Sequence, residues 1–264
     1  MTPSSKDLNS TEFFWIDVCG VRISAINIPL ACEAICRWVQ EKRHAYVCVA
    51  PVSTIVECQE NKDYKKIINN ANMVTPDGMP LVWYGRWKGN KIIRRTYGPD
   101  LMLTLCEAGQ KTGVRHYFYG GTEKTLDLLK EKLRQKFPDI KVVGQHAPPF
   151  RSLTLQEDDS IVEEINRLNP DIVWVGLGSP KQDFWMEYHR NKIQAPVMIA
   201  VGAAFNFLSG VVPQAPKWMQ NRGLEWIFRL CSEPRRLWKR YLVGNTKFVF
   251  YVLKDFFRNR ENEI

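Results

Sequence analysis

With 264 residues, 45% of them hydrophobic and 25% charged, the chain has the composition of a folded protein with a sizeable core, which excludes wholesale disorder. The length fits one large α/β domain, or one domain with an appendage. The formal net charge is +9, and between Arg222 and Arg260 ten Lys/Arg stand against three acids, an excess of +7, so most of the imbalance lies near the C-terminus.

The first residues, Met1-Thr-Pro-Ser-Ser-Lys-Asp, contain no apolar h-region, so no signal peptide is expected. The apolar run Phe248 to Leu253 falls far short of the ~20 residues that a membrane-crossing helix needs. Seven cysteines without a Cys-x-x-Cys pair read as buried, reduced thiols of a cytosolic protein rather than as disulfides or a zinc site. Four scattered histidines lack metal-ligand spacing. No Asp-x-Asp occurs, so the commonest sign of a metal-chelated nucleotide sugar is missing. Neither a metal nor a cofactor is expected.

In chain order, Phe13 to Ser24 reads as one or two short strands around Gly20. Asn27 is a good helix N-cap, Pro29 sits just inside, and Leu30, Ala34, Ile35, Trp38 and Val39 follow a helical period. Tyr46 to Ala50 is a buried-strand run, with Ser53 as the N-cap of a helix reaching about Asn61. A short strand, Asn72 to Thr75, ends in Pro76-Asp77-Gly78. A helix runs from near Pro99 to about Thr112, and a strand from Arg115 to Tyr119, broken by Gly120-Gly121. Thr122 caps a helix from Glu123 to Lys136. Val142-Val143 and Ile172 to Val175 are further strands, separated by a helix containing Ile161 to Leu168; Val197 to Val201 is the last strand. This β–α alternation predicts an α/β fold, a mostly parallel, Rossmann-like sheet covered by helices on both faces. After Pro213 the character changes. Trp218, Trp226 and Trp238 appear among basic residues, with helices broken at Gly223, Pro234 and Gly244. The expected division is residues 1–212 as the catalytic α/β domain and 213–264 as a helical appendage.

Four loops fall at the carboxyl ends of predicted strands, where open α/β sheets bind ligands. Thr75-Pro-Asp77-Gly is an ordinary turn signal, or else it places the Asp77 carboxylate at the mouth of a pocket as a general base. Gly120-Gly121-Thr122 is a tight strand-to-helix turn, or a phosphate seat on a helix N-terminus. Gly176-Leu-Gly178-Ser-Pro180-Lys181-Gln182 begins like a dinucleotide fingerprint, but Lys181 replaces the third glycine, so a dehydrogenase is disfavoured. What remains is a glycine turn whose Lys181 and Gln182 can reach an anionic or sugar ligand. Asn206 stands in another such loop, Gly202 to Phe207. Arg94-Arg95-Thr-Tyr-Gly-Pro-Asp100 is either a solvated charge group or part of a site. The tail interleaves cations with Trp226, Trp238, Tyr241, Phe248, Tyr251, Phe256 and Phe257. That composition fits a nucleic-acid patch, an interfacial helix on anionic lipid or, in its first half, a core-packed helix with an exposed basic face.

Together these segments resemble the bacterial glycosyltransferases of the WecG/TagA/CpsF group over nearly the whole chain. The resemblance rests on the Pro-Asp-Gly loop, Arg95-x-x-Gly-x-Asp100, Tyr119-Gly-Gly, Gly176-x-Gly-x-Pro-Lys-Gln182, Val201-Gly-Ala-Ala-Phe205 with Gly210, and Ala215-Pro-x-Trp218 leading to Gly223-Leu-Glu-Trp-x-x-Arg229-Leu-x-x-Glu-Pro-x-Arg236. It implies metal-independent, inverting transfer of one sugar from a UDP-sugar to a polyprenyl (undecaprenyl) diphosphate-linked saccharide, in cell-surface polysaccharide biosynthesis. It also implies a cytoplasmic protein held peripherally on the inner membrane face, with an anionic membrane surface and no nucleic acid as partner.

Carried over, Asp77 is the base that takes the acceptor proton. Arg95, Asp100, Gly120, Gly121, Gly178, Lys181, Gln182 and Asn206 are expected around donor or acceptor. Arg229, Arg236 and Arg240 are expected to close over the diphosphate. The chain departs from the group at Ala50-Pro51-Val52-Ser53-Thr54, where the group often has Asn after Thr-Pro; Ser53 or Thr54 takes its place. The rival readings are a non-catalytic membrane- or anion-binding protein and a nucleotide-binding oxidoreductase.

Overall fold

The computed structural model describes residues 13–261. It opens with an antiparallel pair, β1 (Trp15–Val18) and β2 (Val21–Ser24), joined at Cys19-Gly20, both with positive φ. Helix α1 (Ile28–Gln40) starts at Asn27, whose side chain accepts the Leu30 amide, and buries Ala31, Ala34, Ile35 and Trp38. Leu30, expected on that buried face, is 41% exposed, because its position in the first turn points away from the sheet.

Strand β3 (Ala45–Ala50) is buried at every residue. Helix α2 (Val52–Glu60) follows Pro51 directly and has no side-chain cap, so Ser53 lies inside the helix and is not its N-cap. Asn61, expected to end that helix, caps a second one. Its Oδ1 accepts the Asp63 and Tyr64 amides, and α3 (Lys62–Asn70) leads to β4 (Met73–Pro76). Helices α4 (Met79–Trp87) and α5 (Gly98–Thr112) precede β5 (Arg115–Gly120) and α6 (Glu123–Lys136). Then come β6 (Lys141–His146), α7 (Leu155–Leu168), β7 (Ile172–Gly176), α8 (Lys181–His189), β8 (Val197–Ala200) and the short α9 (Ala204–Ser209).

Strands β3 to β8 form one wholly parallel sheet in the order β4-β3-β8-β7-β5-β6. Period-2 alternation divides its side chains between two cores. Tyr46, Cys48, Tyr117, Val173 and Met198 face the side covered by α2, α3, α7 and α8; Val47, Val49, Phe118, Trp174 and Ile199 face α1, α5, α6 and α9. Burial on both faces explains why the central strands read as unbroken apolar runs. At the β4 edge, Ser24 of β2 accepts the Val74 amide at 3.0 Å, so the opening hairpin covers that edge.

Past residue 213 the chain is helical: α10 (Lys217–Asn221), α11 (Glu225–Ser232), α12 (Pro234–Trp238), a π-turn at Lys239–Val243 and α13 (Gly244–Glu261). Gly244, expected to break the helix, has helical φ and ψ, and the π-turn passes straight into α13. A π-turn inserts one residue into the i→i−4 ladder, which shifts the helix face without ending the helix. Phe248 of α13 is buried against the α2 side of the sheet, and Phe256 meets Trp87 of α4 with ring centroids 5.7 Å apart. Among the described residues no helix is long and apolar enough to cross a membrane.

Candidate active site

The carboxyl ends of the strands open into a cleft of about 1350 Å³, roofed by α11 and α12. Asp77 follows β4 and enters it where the Asp77 amide donates to Ala50 O at 3.1 Å, keeping the residue in strand register with β3 for one more step. The Thr96 amide donates to Pro76 O at 2.9 Å, and Thr75 Oγ1 donates to Thr96 O at 3.2 Å. These bonds tie Arg95-Thr96-Tyr97 to the strand end that carries Asp77.

Arg95 lies beneath Asp77 rather than on the cleft wall. Its Nε donates to Asp77 O at 2.6 Å, and its Nη2 is shared between Asp77 Oδ1 at 3.3 Å and Glu225 Oε2 at 2.7 Å. The guanidinium also stacks over Tyr97, 4.0 Å from the ring centroid, and the Tyr97 hydroxyl donates to Glu225 Oε1 at 3.0 Å. Burial pushes the Asp77 carboxyl above the ordinary aspartate value; Arg95 pulls it back, Glu225 pushes it up, and Arg229 pulls it down. A part-buried carboxylate, its side chain 20% exposed at the cleft, with one weakly held oxygen is the state in which aspartate can accept a proton near neutral pH.

The other strand ends build the floor. Gln182, on the first turn of α8, is 1% exposed; its oxygen accepts the Gly178 amide at 3.1 Å and the Gly202 amide at 3.0 Å, while its nitrogen donates to Ser179 Oγ at 3.1 Å. It borders the cleft, but its amide braces the β7 and β8 loops to each other. Gly178, with φ +80° and open space where a Cβ would lie, keeps the floor clear. Gly120 does something different: a Cβ there would sit 2.6 Å from the Gly176 carbonyl carbon, so this glycine packs strand ends together and does not face the cleft. Gly121, Lys181 and Asn206 border the cleft, with Lys181 at the opening of α8.

The appendage supplies the cationic wall. Arg229 and Arg240 both border the cleft, and Leu237 between them is buried. The Arg229 guanidinium lies 5.2 Å from the Phe207 ring centroid, and its Nε is buried with no hydrogen-bond partner among the described residues. The side chain of Arg236 lies outside the described residues. Asp100 is off the cleft, where it accepts from Lys217 Nζ at 2.9 Å and links α5 to α10. Ser53 and Thr54 also lie off the main cleft. They line an adjoining cavity of about 570 Å³ between α2 and the π-turn, which shares Ser179 and Arg240 with it.

A second lobe of the cleft went unread in the sequence. Tyr119 stacks on Trp185 at 4.3 Å, Trp185 meets His189 at 4.3 Å, and His189 bridges the Trp185 carbonyl to the Asp158 carboxylate. The loop from Pro148 to Thr154 lines the same cleft, with Phe150 95% exposed. Glu225 was missed as well. An acid opening a helix is an ordinary dipole signal, and nothing local marks a partner 130 positions away. Among the described residues, no three His, Cys, Asp or Glu side chains gather as a metal site.

The family model described as "Glycosyl transferase WecG/TagA/CpsF family" matches residues 16–262. The chain is 31% identical over 196 residues, 74% of each chain, to a protein of Bacillus subtilis (strain 168) named N-acetylglucosaminyldiphosphoundecaprenol N-acetyl-beta-D-mannosaminyltransferase. Proteins of the same name are 27% identical over 82% of each chain in Bacillus spizizenii (strain ATCC 23059 / NRRL B-14472 / W23) and 25% identical over 89% of each chain in Staphylococcus aureus (strain MW2).

Proposed function

The chain belongs to the glycosyl transferase WecG/TagA/CpsF family, and from that premise we propose that it transfers one sugar, with inversion and without a metal, from a UDP-sugar to a polyprenyl-diphosphate-linked saccharide. The observation that carries the reading is the pairing of Asp77 with a cationic roof across one cleft. Asp77 takes the proton of an acceptor hydroxyl while that oxygen attacks the anomeric carbon from the face opposite the diphosphate. The bond from the anomeric carbon to the phosphate oxygen breaks, and UDP leaves with the electron pair. Arg229, Arg240 and Lys181 stabilise the charge gathering on it.

The dimensions agree with such a donor. From β4 to β5 there are four strand spacings, roughly 19 Å at the usual separation. With its sugar at Asp77 and its diphosphate by the Gly178 loop, an extended nucleotide sugar brings its base to the lobe of Tyr119, Trp185 and Tyr188. From the names of the relatives, the first donor and acceptor to try are UDP-N-acetylmannosamine and a short-chain prenyl-diphosphate-linked N-acetylglucosamine.

The lipid-linked acceptor accounts for the outer face of the appendage. Leu242, Val249, Phe250, Leu253 and Phe257 are exposed along one side of the π-turn and α13, beside Lys254 and Arg258. That is the make-up of a helix lying in an anionic membrane interface, and it fits a protein docked on the inner membrane face.

The test is UDP release with a panel of UDP-sugars and the short-chain acceptor, with and without EDTA. Acceptor-dependent release insensitive to EDTA is expected, with Asp77→Asn slowed by about 10²–10⁴-fold, the usual contribution of a general base. Release at the wild-type rate in Asp77→Asn would remove Asp77 as the base. Release that needs a divalent ion would remove the metal-independent mechanism.

A further inference from the structure

Glu225 has two partners, and both lie far from its own helix. Its Oε2 accepts from Arg95 and its Oε1 from Tyr97, so one carboxylate on the appendage grips both ends of the Arg95-Thr96-Tyr97 segment. The side chain is only 10% exposed. A buried ion pair is a weak device for stability, because desolvation cancels much of its attraction. Its value here lies in what it does to Arg95.

A guanidinium beside a lone carboxylate tends to clamp it with two parallel bonds, which holds the carboxylate as a weak base. Arg95 does not clamp Asp77 in this way. Nε goes to the Asp77 backbone carbonyl, and Nη2 lies closer to Glu225, at 2.7 Å, than to Asp77, at 3.3 Å. Among the described residues no hydrogen bond engages Asp77 Oδ2. The appendage carboxylate has taken the stronger share of the arginine.

We propose that Glu225 is a positioning residue for the transfer: by drawing Arg95 toward the appendage it keeps Asp77 from being clamped, so that the base is strong only when α11 is seated. The inference rests on the reading of Asp77 as base. It adds a second role for the appendage, since the segment that roofs the cleft also sets the basicity of a residue on the sheet.

The groups facing Asp77 are Arg95 and Tyr97 from the segment before α5, Glu225 and Arg229 from α11, and Tyr241 from the π-turn. The cations favour the ionised carboxylate, and Glu225 opposes it. Replacing Glu225 by Gln removes the opposing charge and frees Arg95 to turn fully to Asp77. Both changes lower the Asp77 pKa. The acid limb of kcat/KM, which follows ionisation of the base in the free enzyme, therefore moves to lower pH, and the plateau falls because the base is weaker.

The experiment is the pH profile of kcat/KM for UDP release with UDP-N-acetylmannosamine and the short-chain acceptor, in the full-length wild type, Glu225→Gln, Glu225→Asp and Asp77→Asn. Thermal melts and UDP binding establish that each variant is folded. Glu225→Gln is expected to shift the acid limb down by about one pH unit, the size of a single neighbouring charge, with a plateau about tenfold lower. Glu225→Asp, one methylene too short to span both partners, should shift the limb the same way by less. A folded Glu225→Gln with an unshifted limb overturns the proposal whatever its rate. Where Glu225→Gln does not fold, a wild-type limb in Glu225→Asp does the same. An active Asp77→Asn would remove the reading beneath it, whereas an inactive Asp77→Asn with an unshifted Glu225→Gln removes this proposal alone.

Discussion

Asp183 and Asp77 are both aspartates whose carboxyls burial pushes upward, and their surroundings separate them. Asp183 is 1% exposed and receives the Tyr64 hydroxyl at 2.8 Å, with no cation paired to it among the described residues. Burial pushes its carboxyl up to about 6, although the Tyr64 hydroxyl pulls it back. The folded protein thus holds this proton to about pH 6, while the unfolded chain releases it near the ordinary aspartate value of about 4. The stability it contributes is present at acid pH and lost as pH rises through that interval. Asp183→Asn should remove this component. Thermal melts should show the smallest difference from wild type at acid pH, with the variant gaining up to about 3 kcal/mol above pH 6; parallel curves for the two proteins would refute the assignment. Sequence alone could not distinguish the two aspartates. Asp77 stands in a turn motif that local sequence marks, whereas an acid in a first helical turn, as Asp183 is, carries no sign of burial.

At the scale of elements, α13 has two faces. Phe248, Val252 and Asp255 point inward, with Phe248 and Asp255 buried; Val249, Phe250, Leu253 and Phe257 point outward. Both sets follow helical spacing, and periodicity alone does not say which one meets the protein. Phe248→Ala should cost about 3–5 kcal/mol of packing, read as lost hydrogen-exchange protection in α13 while β3 and β8 keep theirs. The double change Phe250→Asp and Leu253→Asp should leave the melting temperature nearly unchanged but weaken binding to vesicles containing anionic lipid. Equal effects from the inner and outer changes would show that the faces are wrongly assigned. Strands and long helices were legible because burial on both sheet faces produces unbroken apolar runs. Of the short helices, α2 was read from a start signal after β3, whereas α3, α4 and α9 were not, because nine or six residues without such a signal give too few repeats to separate from loops.

At the scale of the whole molecule, charge is the organising fact. An excess of +7 on one helical segment makes association with an anionic surface strongly dependent on salt. Vesicle binding should weaken steeply between about 0.1 M and 1 M salt, as the Debye length falls from about 10 Å to about 3 Å; binding indifferent to salt would mean that the apolar stripe alone holds the protein. The same segment reaches back over the sheet. Arg229, Leu237 and Arg240 roof the cleft while Phe250 and Leu253 face away from the sheet, so the helical segment presents two distinct faces.

The order of the strands and of the longer helices, the loops at the strand ends, the basic tail and the family were all set by local pattern: runs of apolar residues, glycine turns and ordered motifs survive in one dimension. Tertiary structure alone decided which side chains meet across the cleft. It placed Glu225 on Arg95 and Tyr97, turned the Gln182 amide into a brace between two loops, assembled the aromatic lobe of Tyr119, Trp185 and His189, and moved Ser53 and Thr54 to an adjoining cavity. The contacts among these that cross between elements, Gln182 to Gly202, Tyr119 to Trp185 and Glu225 to Tyr97 and Arg95, join residues from 20 to 130 positions apart, and their partners are chosen by the crossing order of the strands and the seating of α11. No local propensity encodes either.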